Sequence, residues 1–330
     1  MIVRFGYVAM STVVQHASPS RTMTATRFAQ LPDREAAIRK LERIAAENLQ
    51  NTLRLLRHNR AHDIRVYRFS SKLIPLFSHE LLAGWDPFPV LAEDFAAIGE
   101  YVKENGMRTS FHPDHFTVLS TPRPEVLRSS AKDLDTHVRM LEAMGLDESA
   151  KCNIHIGGSY GDKPTSFERF CRQFGDLEPR IKRRMTLEND DKTYTALETL
   201  TACERVRIPM VLDLHHHTVN NEGTSAEELW PRIRQTWQQE ASSAPDGEQA
   251  PLPPKIHVSS PKNEKDFRAH AEYVDASPLL AFLQAVACDT PRLDVMLEAK
   301  MKDSALFRLM RDLTGIPGVK PLGAASVEIG

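Results

Sequence analysis

Eight short apolar runs recur along the chain, and the stretches between them carry apolar residues at three- and four-residue steps. The runs are IVRFGYVA (2–9), IRVYRFSS (64–71), RTSFHP (108–113), KCNIHIGG (151–158), RMTLEND (184–190), IPMVLDLHH (208–216), KIHVSS (255–260) and LDVMLEAK (293–300). Residues 33–59 predict a helix with Asp33 as its N-cap, and residues 123–145 predict another that ends at a glycine. Strands that alternate with helices need crossover connections and so a parallel sheet. Eight such units in 330 residues predict a (β/α)₈ TIM barrel, with 1–330 forming one domain. A doubly wound open sheet is disfavoured because no GxGxxG turn follows the first run. The Pro/Ser/Gly-rich segment 241–254 predicts a flexible insertion before the seventh strand, on the face opposite any active site.

Composition narrows the class. Apolar residues make up 41% and charged residues 26%, which fits a globular chain with a sizeable core. The net charge of −2 advertises no polyanion partner, although a basic rim around an acidic site would cancel in that sum. Cys152, Cys171, Cys203 and Cys288 form no CxxC pair, so a reducing, cytoplasmic setting is expected over a disulfide framework. No apolar run reaches the roughly 18–20 residues that span a bilayer. Arg4 inside the first run makes it a buried strand and not a signal peptide.

The candidate chemistry lies where the runs end. His112, His155, Glu188, Asp213 with His216, His257 and Glu298 close the last six runs, and barrel strands converge at that face. Alternation puts Asn153 with His155, Lys255 with His257, and Asp294 with Glu298 on the inner face. One such histidine is more often structural than a ligand, and one such glutamate more often half of an ion pair. Six coincidences at equivalent positions point to divalent cations, because so many carboxylates and imidazoles in one mouth repel without them. Imidazole and carboxylate without thiolate suit Mn²⁺ or Zn²⁺ better than Ca²⁺, and the ligand count implies more than one ion. Among His215, His216 and His217, simple alternation would favour His215 and His217 as companions of Asp213.

Together, FHPDHF (111–116), NIHIGG (153–158), LEND (187–190), DLHHH (213–217), KIHVSS (255–260) and LEAK (297–300), with RFGYVAMS and YRFSSKLIP upstream, resemble the UV damage endonuclease family. The resemblance runs from the first strand to the eighth. It implies a TIM barrel with two or three ions, taken as Mn²⁺ with Zn²⁺ or Mg²⁺ as alternatives. The implied activity nicks double-stranded DNA immediately 5′ of cyclobutane dimers and 6-4 photoproducts, leaving a 3′-hydroxyl, with abasic sites as a further substrate. Carried over by position, His112, His155 and Glu188 hold one ion, and Glu188 bridges to a second held by Asp213, His257 and Glu298. His216 and His270 belong to a third, and Lys255 matches a lysine that can be carbamylated. Glu188, Lys255 and Glu298 are then the catalytic candidates. The family's Asp-x-x-His pattern selects His216, provided the strand has broken by about His215, and leaves His215 and His217 as supporting groups. Where the family often has Gln-Tyr, this chain has His115 and Phe116, and Ser11 stands in place of an Asn, so lesion preference is the property most open to change.

The expected chemistry is metal-assisted phosphodiester hydrolysis, the ions activating water and stabilising charge at phosphorus and on the departing 3′-oxygen. Tyr7, Arg68, Lys72, His115 and Phe116 are expected to handle the DNA backbone and the distorted pair. RIKRR (180–184) and RLLRHNR (54–60) read as solvated helix faces before phosphate contacts. A sugar isomerase or epimerase on the same barrel is the rival reading, and a metal-bound DNA sensor without turnover ranks last. Lesion-bearing duplex DNA is the expected partner of a monomer, with no membrane and no obligate protein partner.

Overall fold

The apolar runs are short and carry polar residues at alternate positions, so each offers one apolar face to pack on helices and needs a strand on both sides to satisfy its backbone. The computed structural model describes residues 1–241 and 251–330. Its strands β1 (Ile2–Val8), β2 (Val66–Arg68), β3 (Arg108–Phe111), β4 (Lys151–Ile154), β5 (Met185–Glu188), β6 (Met210–Asp213), β7 (Lys255–Val258) and β8 (Arg292–Leu297) fall on the eight predicted runs. They lie in the order β2-β3-β4-β5-β6-β7-β8-β1, all parallel, and β1 pairs with β2 to close the ring. The fold is a TIM barrel.

The connections are helical. They comprise α1 (Ala25–Ala29), α2 (Arg34–Ala61), α3 (Phe88–Glu104), α4 (Pro124–Ala143), α5 (Lys163–Gly175), α6 (Pro179–Lys182), α7 (Ala196–Val206), α8 (Leu214–Val219), α9 (Ala226–Ala241), α10 (Ala276–Val286) and α11 (Lys302–Leu313). Asp33 caps α2 as expected, its side chain accepting from the Glu35 N–H at 2.9 Å. Among the described residues, no helix is long and apolar enough to cross a membrane.

Two strands were not predicted. β9 (Val319–Gly323) and β10 (Ser326–Ile329) form a hairpin whose β10 runs antiparallel to the first residues of β1, Ile2 to Arg4. Only Gly6 to Val8 of β1 reach β2, so the hairpin occupies the lower half of the β1 edge. Gly6 is required at this seam, because a Cβ there would stand 2.1 Å from the Val66 carbonyl oxygen.

Alternation sorts the strands. Val3, Phe5 and Tyr7 are buried beneath the helices, while Arg4 points inward. At the barrel floor Asp294 receives Arg4 Nε at 2.7 Å, Arg4 Nη2 at 2.8 Å and Arg108 Nη1 at 2.7 Å. Lys255 lies opposite Asp294 in register and donates to Ser110 Oγ at 3.2 Å. Of the predicted insertion 241–254, residues 242–250 lie outside the described residues. The stretch that follows them touches the floor, where Pro253 O accepts from Arg108 Nη1 at 2.6 Å and Pro254 O from the Asp294 N–H at 3.0 Å.

The basic stretches are largely absorbed by structure. Arg180 pairs with Asp135, Glu142 and Glu178, Arg183 with Glu148, and Arg184 donates to the carbonyls of Asp147 and Leu146. These groups precede β5, on the face away from the strand ends. Arg54 ties α2 to the loop after β1 through the His16 carbonyl at 2.8 Å and the Gln15 carbonyl at 3.1 Å.

Candidate metal centre

Each polar strand-end residue is delivered to the mouth by a strand that stops there. Glu188 and Asp213 are the last residues of β5 and β6, His112, His155 and Glu298 come within a residue of the ends of β3, β4 and β8, and His257 lies within β7. Their side chains converge on Glu188. His112 Nε2 is 3.2 Å from Glu188 Oε2, His257 Nδ1 is 3.0 Å from Oε1, and His216 Nδ1 is 3.8 Å from Oε1. Among the described residues, three trios each bring one ligand atom per residue within 4.8 Å of the others: His112, His155 and Glu188; Glu188, His257 and Glu298; Glu188, Asp213 and His216. Donors bonded to one ion at about 2.1 Å lie roughly 3–4 Å apart, so this spacing fits divalent cations. Asp213 falls with His216 here, whereas the resemblance groups it with His257 and Glu298. His270 is in none of the trios, but its Nδ1 is 3.8 Å from Glu298 Oε2 and its ring 6.0 Å from that of His216.

The histidine run resolves at a strand-to-helix switch. β6 stops at Asp213 and α8 starts at the next residue, with the Asp213 carboxylate accepting from the His216 N–H at 2.7 Å as the helix cap. Helical spacing then places positions i and i+3 side by side, and His216 joins Asp213. His215 and His217 are buried, and His215 Nε2 sits 3.4 Å from the Arg268 carbonyl. Two asparagines complete the frame. The Asn189 side-chain amide accepts from the Asp213 N–H at 2.9 Å and donates to the Asp213 carbonyl at 3.0 Å, its backbone carbonyl lies 3.0 Å from His216 Nδ1, and Asn153 donates to Glu188 Oε2.

Electrostatics matches a site built for cations. Burial opposes charge on His257, but Glu188 and Glu298 prevail and raise it to about 9. His216 also rises to about 9, Asp213 and Glu188 outweighing its burial. Burial pushes the Glu188 carboxyl up, yet His257 and His112 hold it well below the usual range. Asp213 is pushed up to about 7 by burial, only partly offset by His216. Asp213 Oδ2 is buried with no hydrogen-bond partner, an acceptor that a cation would satisfy. The raised imidazoles of His257 and His216 thus balance the carboxylates beside them, whereas burial lowers His155.

The rim is mixed. His115 and Phe116 project beyond β3 with rings 4.0 Å apart, Phe116 being 74% exposed. Lys72 is exposed and shares with Phe116 the lining of a recess of about 340 Å³. Arg68 turns inward and pairs with Glu298, which its charge and His257 hold well below the usual carboxylate range against burial. Ser11 donates to Asp303, a buried acid on α11 that also takes the Thr12 N–H at 2.8 Å and faces His58 Nε2 at 3.1 Å. These contacts fix the loop after β1.

Tyr7 is the correction. It shares the outward face of β1 with Val3 and Phe5, is 0% exposed, and donates to Asn59 Oδ1 of α2 at 2.7 Å. It therefore presents nothing to DNA. Tyr7→Phe is expected to lower stability by about 1 kcal/mol, the net worth of one hydrogen bond, and to leave KM for damaged duplex unchanged. Urea denaturation beside steady-state kinetics checks this, and a raised KM at intact stability would return Tyr7 to the interface.

Comparisons with known proteins agree with this fold. The model of the UV-endonuclease UvdE family matches residues 3–329. UV DNA damage endonucleases from Halalkalibacterium halodurans and Bacillus pumilus are each 43% identical over 329 residues, covering 99% of both chains. The crystal structure of SacUVDE superposes with a TM-score of 0.81 at 29% identity, covering 94% of this chain and 98% of that one. Endonuclease IV from Thermus thermophilus, at 12% identity and a TM-score of 0.54, covers 94% of this chain and 98% of that one and shares the fold alone. A match that begins in the first strand of the barrel and ends in its closing hairpin leaves one conclusion: the chain belongs to the UV-endonuclease UvdE family.

Proposed function

We propose that this centre hydrolyses the phosphodiester immediately 5′ of ultraviolet photoproducts in double-stranded DNA. Water adds to phosphorus, the P–O3′ bond breaks, and the products carry a 3′-hydroxyl and a 5′-phosphate. The observation that carries the reading is the sharing of one carboxylate, Glu188, by three ligand trios at the mouth of the barrel. Two or three Mn²⁺ ions suit these imidazole and carboxylate donors, with Zn²⁺ and Mg²⁺ as the alternatives that metal analysis would separate. When bound, such ions lower the pKa of water toward ~7 and offset charge gathering on phosphorus and the departing oxygen.

The chain's own residues supply the rest. His112, His155, Glu188, Asp213, His216, His257, His270 and Glu298 are the proposed ligands. Lys255, one layer below His257, is buried beside Arg108, and both effects disfavour its ammonium form. The neutral amine is the form a carbamate needs. Arg68, steadied by Glu298, faces the scissile phosphate, and Lys72 meets the backbone at the rim. Phe116 wedges into the weakened pair, whose extrusion costs less than that of an intact pair. His115 replaces a neutral amide donor by an imidazole, so lesion range and abasic-site cleavage are where this protein would differ from Gln-Tyr relatives. The whole chain acts as one domain, monomeric and cytoplasmic in this reading. A sugar isomerase would have no use for an exposed aromatic beside its metals.

The test is an end-labelled duplex carrying one cyclobutane dimer, incubated with Mn²⁺. A single cut just 5′ of the dimer, abolished by chelation and absent from undamaged duplex, is expected. Phe116→Ala should lower kcat/KM by about 5- to 150-fold, the loss of one stacking contact of roughly 1–3 kcal/mol, with bound metal unchanged. No cut on any damaged duplex by folded, metal-loaded protein would end the proposal.

A further inference from the structure

The connection from β7 to α10, residues 259–275, is longer than connections in compact domains usually are, a feature of functional loops. It is nonetheless ordered. Pro261 and His270 form an antiparallel bridge, the Lys262 N–H donates to Ala269 O at 2.7 Å and the Ala271 N–H to Ser260 O at 2.8 Å. Asn263 Oδ1 caps the tip through the N–H groups of Lys265 (3.0 Å) and Asp266 (2.8 Å). The base is tied to the barrel, because the Lys300 N–H donates to Ala271 O at 3.1 Å and the Met301 N–H to Glu272 O at 3.1 Å. This stiff arm carries Phe267, an aromatic left 44% exposed, with the Arg268 guanidinium 5.4 Å from its ring centroid.

The place of the arm in the ring gives it meaning. β7 is four strands from β3 in either direction around the closed barrel, so Phe267 and Phe116 stand on opposite rims with the Glu188 cluster between them. A strand whose scissile phosphate lies over the cluster must leave the mouth past both rims. If Phe116 meets the lesion, which is 3′ of the cut, the other rim faces the undamaged side. We propose that Phe267, with Arg268, is a second DNA-stacking contact that grips the duplex 5′ of the scissile phosphate. The pairing of an exposed ring with a guanidinium on a pre-ordered arm suits base and backbone together at small entropic expense. This inference rests on the proposed function.

Kinetics on two substrates tests it: a dimer-bearing duplex with a long 5′ flank, and the same duplex with that flank trimmed to about two base pairs, too short to reach the far rim. Phe267→Ala should lower kcat/KM about 5- to 150-fold on the long flank, mainly through KM, and match wild type on the trimmed one. Phe267→Trp should restore the long-flank value, and Phe116→Ala should lose activity on both. Equal activity of Phe267→Ala and wild type on the long flank, or equal losses on both substrates, overturns the assignment. If wild type cuts neither substrate, the proposed function itself has failed, a separate result.

Discussion

Glu188→Gln is expected to reduce nicking of a dimer-containing duplex by at least about 10³-fold, on the scale of losing a principal electrostatic group from an active site. The reason is geometric. Every trio in the mouth includes Glu188, so one neutralised carboxylate weakens all the cation positions together. His270→Ala, outside those trios, should fall less, nearer the roughly 10- to 100-fold of a peripheral ligand. Metal content measured beside activity decides the matter: Glu188→Gln should bind fewer ions as well as turn over more slowly. The substitution also removes the counter-charge of His257, so the metal-free variant should unfold at lower urea than metal-free wild type. Full Mn²⁺ occupancy with undiminished turnover in Glu188→Gln would overturn the shared-carboxylate reading.

Asp294→Asn should have the largest effect on stability, a loss of roughly 3–5 kcal/mol at neutral pH. Asp294 is buried between Arg4 and Arg108, and the nearly isosteric amide would leave two guanidiniums without their shared negative charge. Burial alone would push the Asp294 carboxyl up, but Arg108 and Arg4 hold it below its ordinary value. A depressed folded-state pKa means that the stabilisation is complete above the unfolded pKa of about 3.9 and vanishes as pH falls through the folded one. The gap between wild type and Asp294→Asn in urea midpoint should therefore be wide at neutral pH and shrink as the medium is made acidic. A gap below about 1 kcal/mol at neutral pH would show that the floor triad does not hold the barrel together.

Most of the barrel was legible because its strands carry two signals at once, an apolar outer face and a polar inner one. NIHIG and KIHVS each announce strand, orientation and candidate ligand within a single short segment. The hairpin was not legible. β9 is an exposed edge strand interrupted by Pro321, and such a segment has no buried face to create an alternating pattern. Tyr7 was misplaced although its signal was available, since it shares parity with Val3 and Phe5 and so with the helix-facing side. His216 was selected by the Asp-x-x-His spacing of the resemblance, and the capping geometry now gives that spacing a cause. Alternation puts Asn153 on the inner face without marking it as a partner of Glu188, and Asn189 carries no signal, because an amide at a strand end has many innocuous uses. Asp303 was invisible for another reason, as its partners Ser11 and His58 lie near the opposite end of the sequence.

The hairpin also sets a timetable for biosynthesis. β1 is made before the other barrel strands, yet its partner β8 is the last of the eight and β10 follows it, so only the short β2 contact can form early. The nascent chain must carry β1 without those partners while the units from β2 to β7 are made, with the loop-closure entropy of the ring postponed until β8. The ring can therefore close only after β8 has been made, and the exposed edge of β1 is the segment a chaperone would shield in the interval.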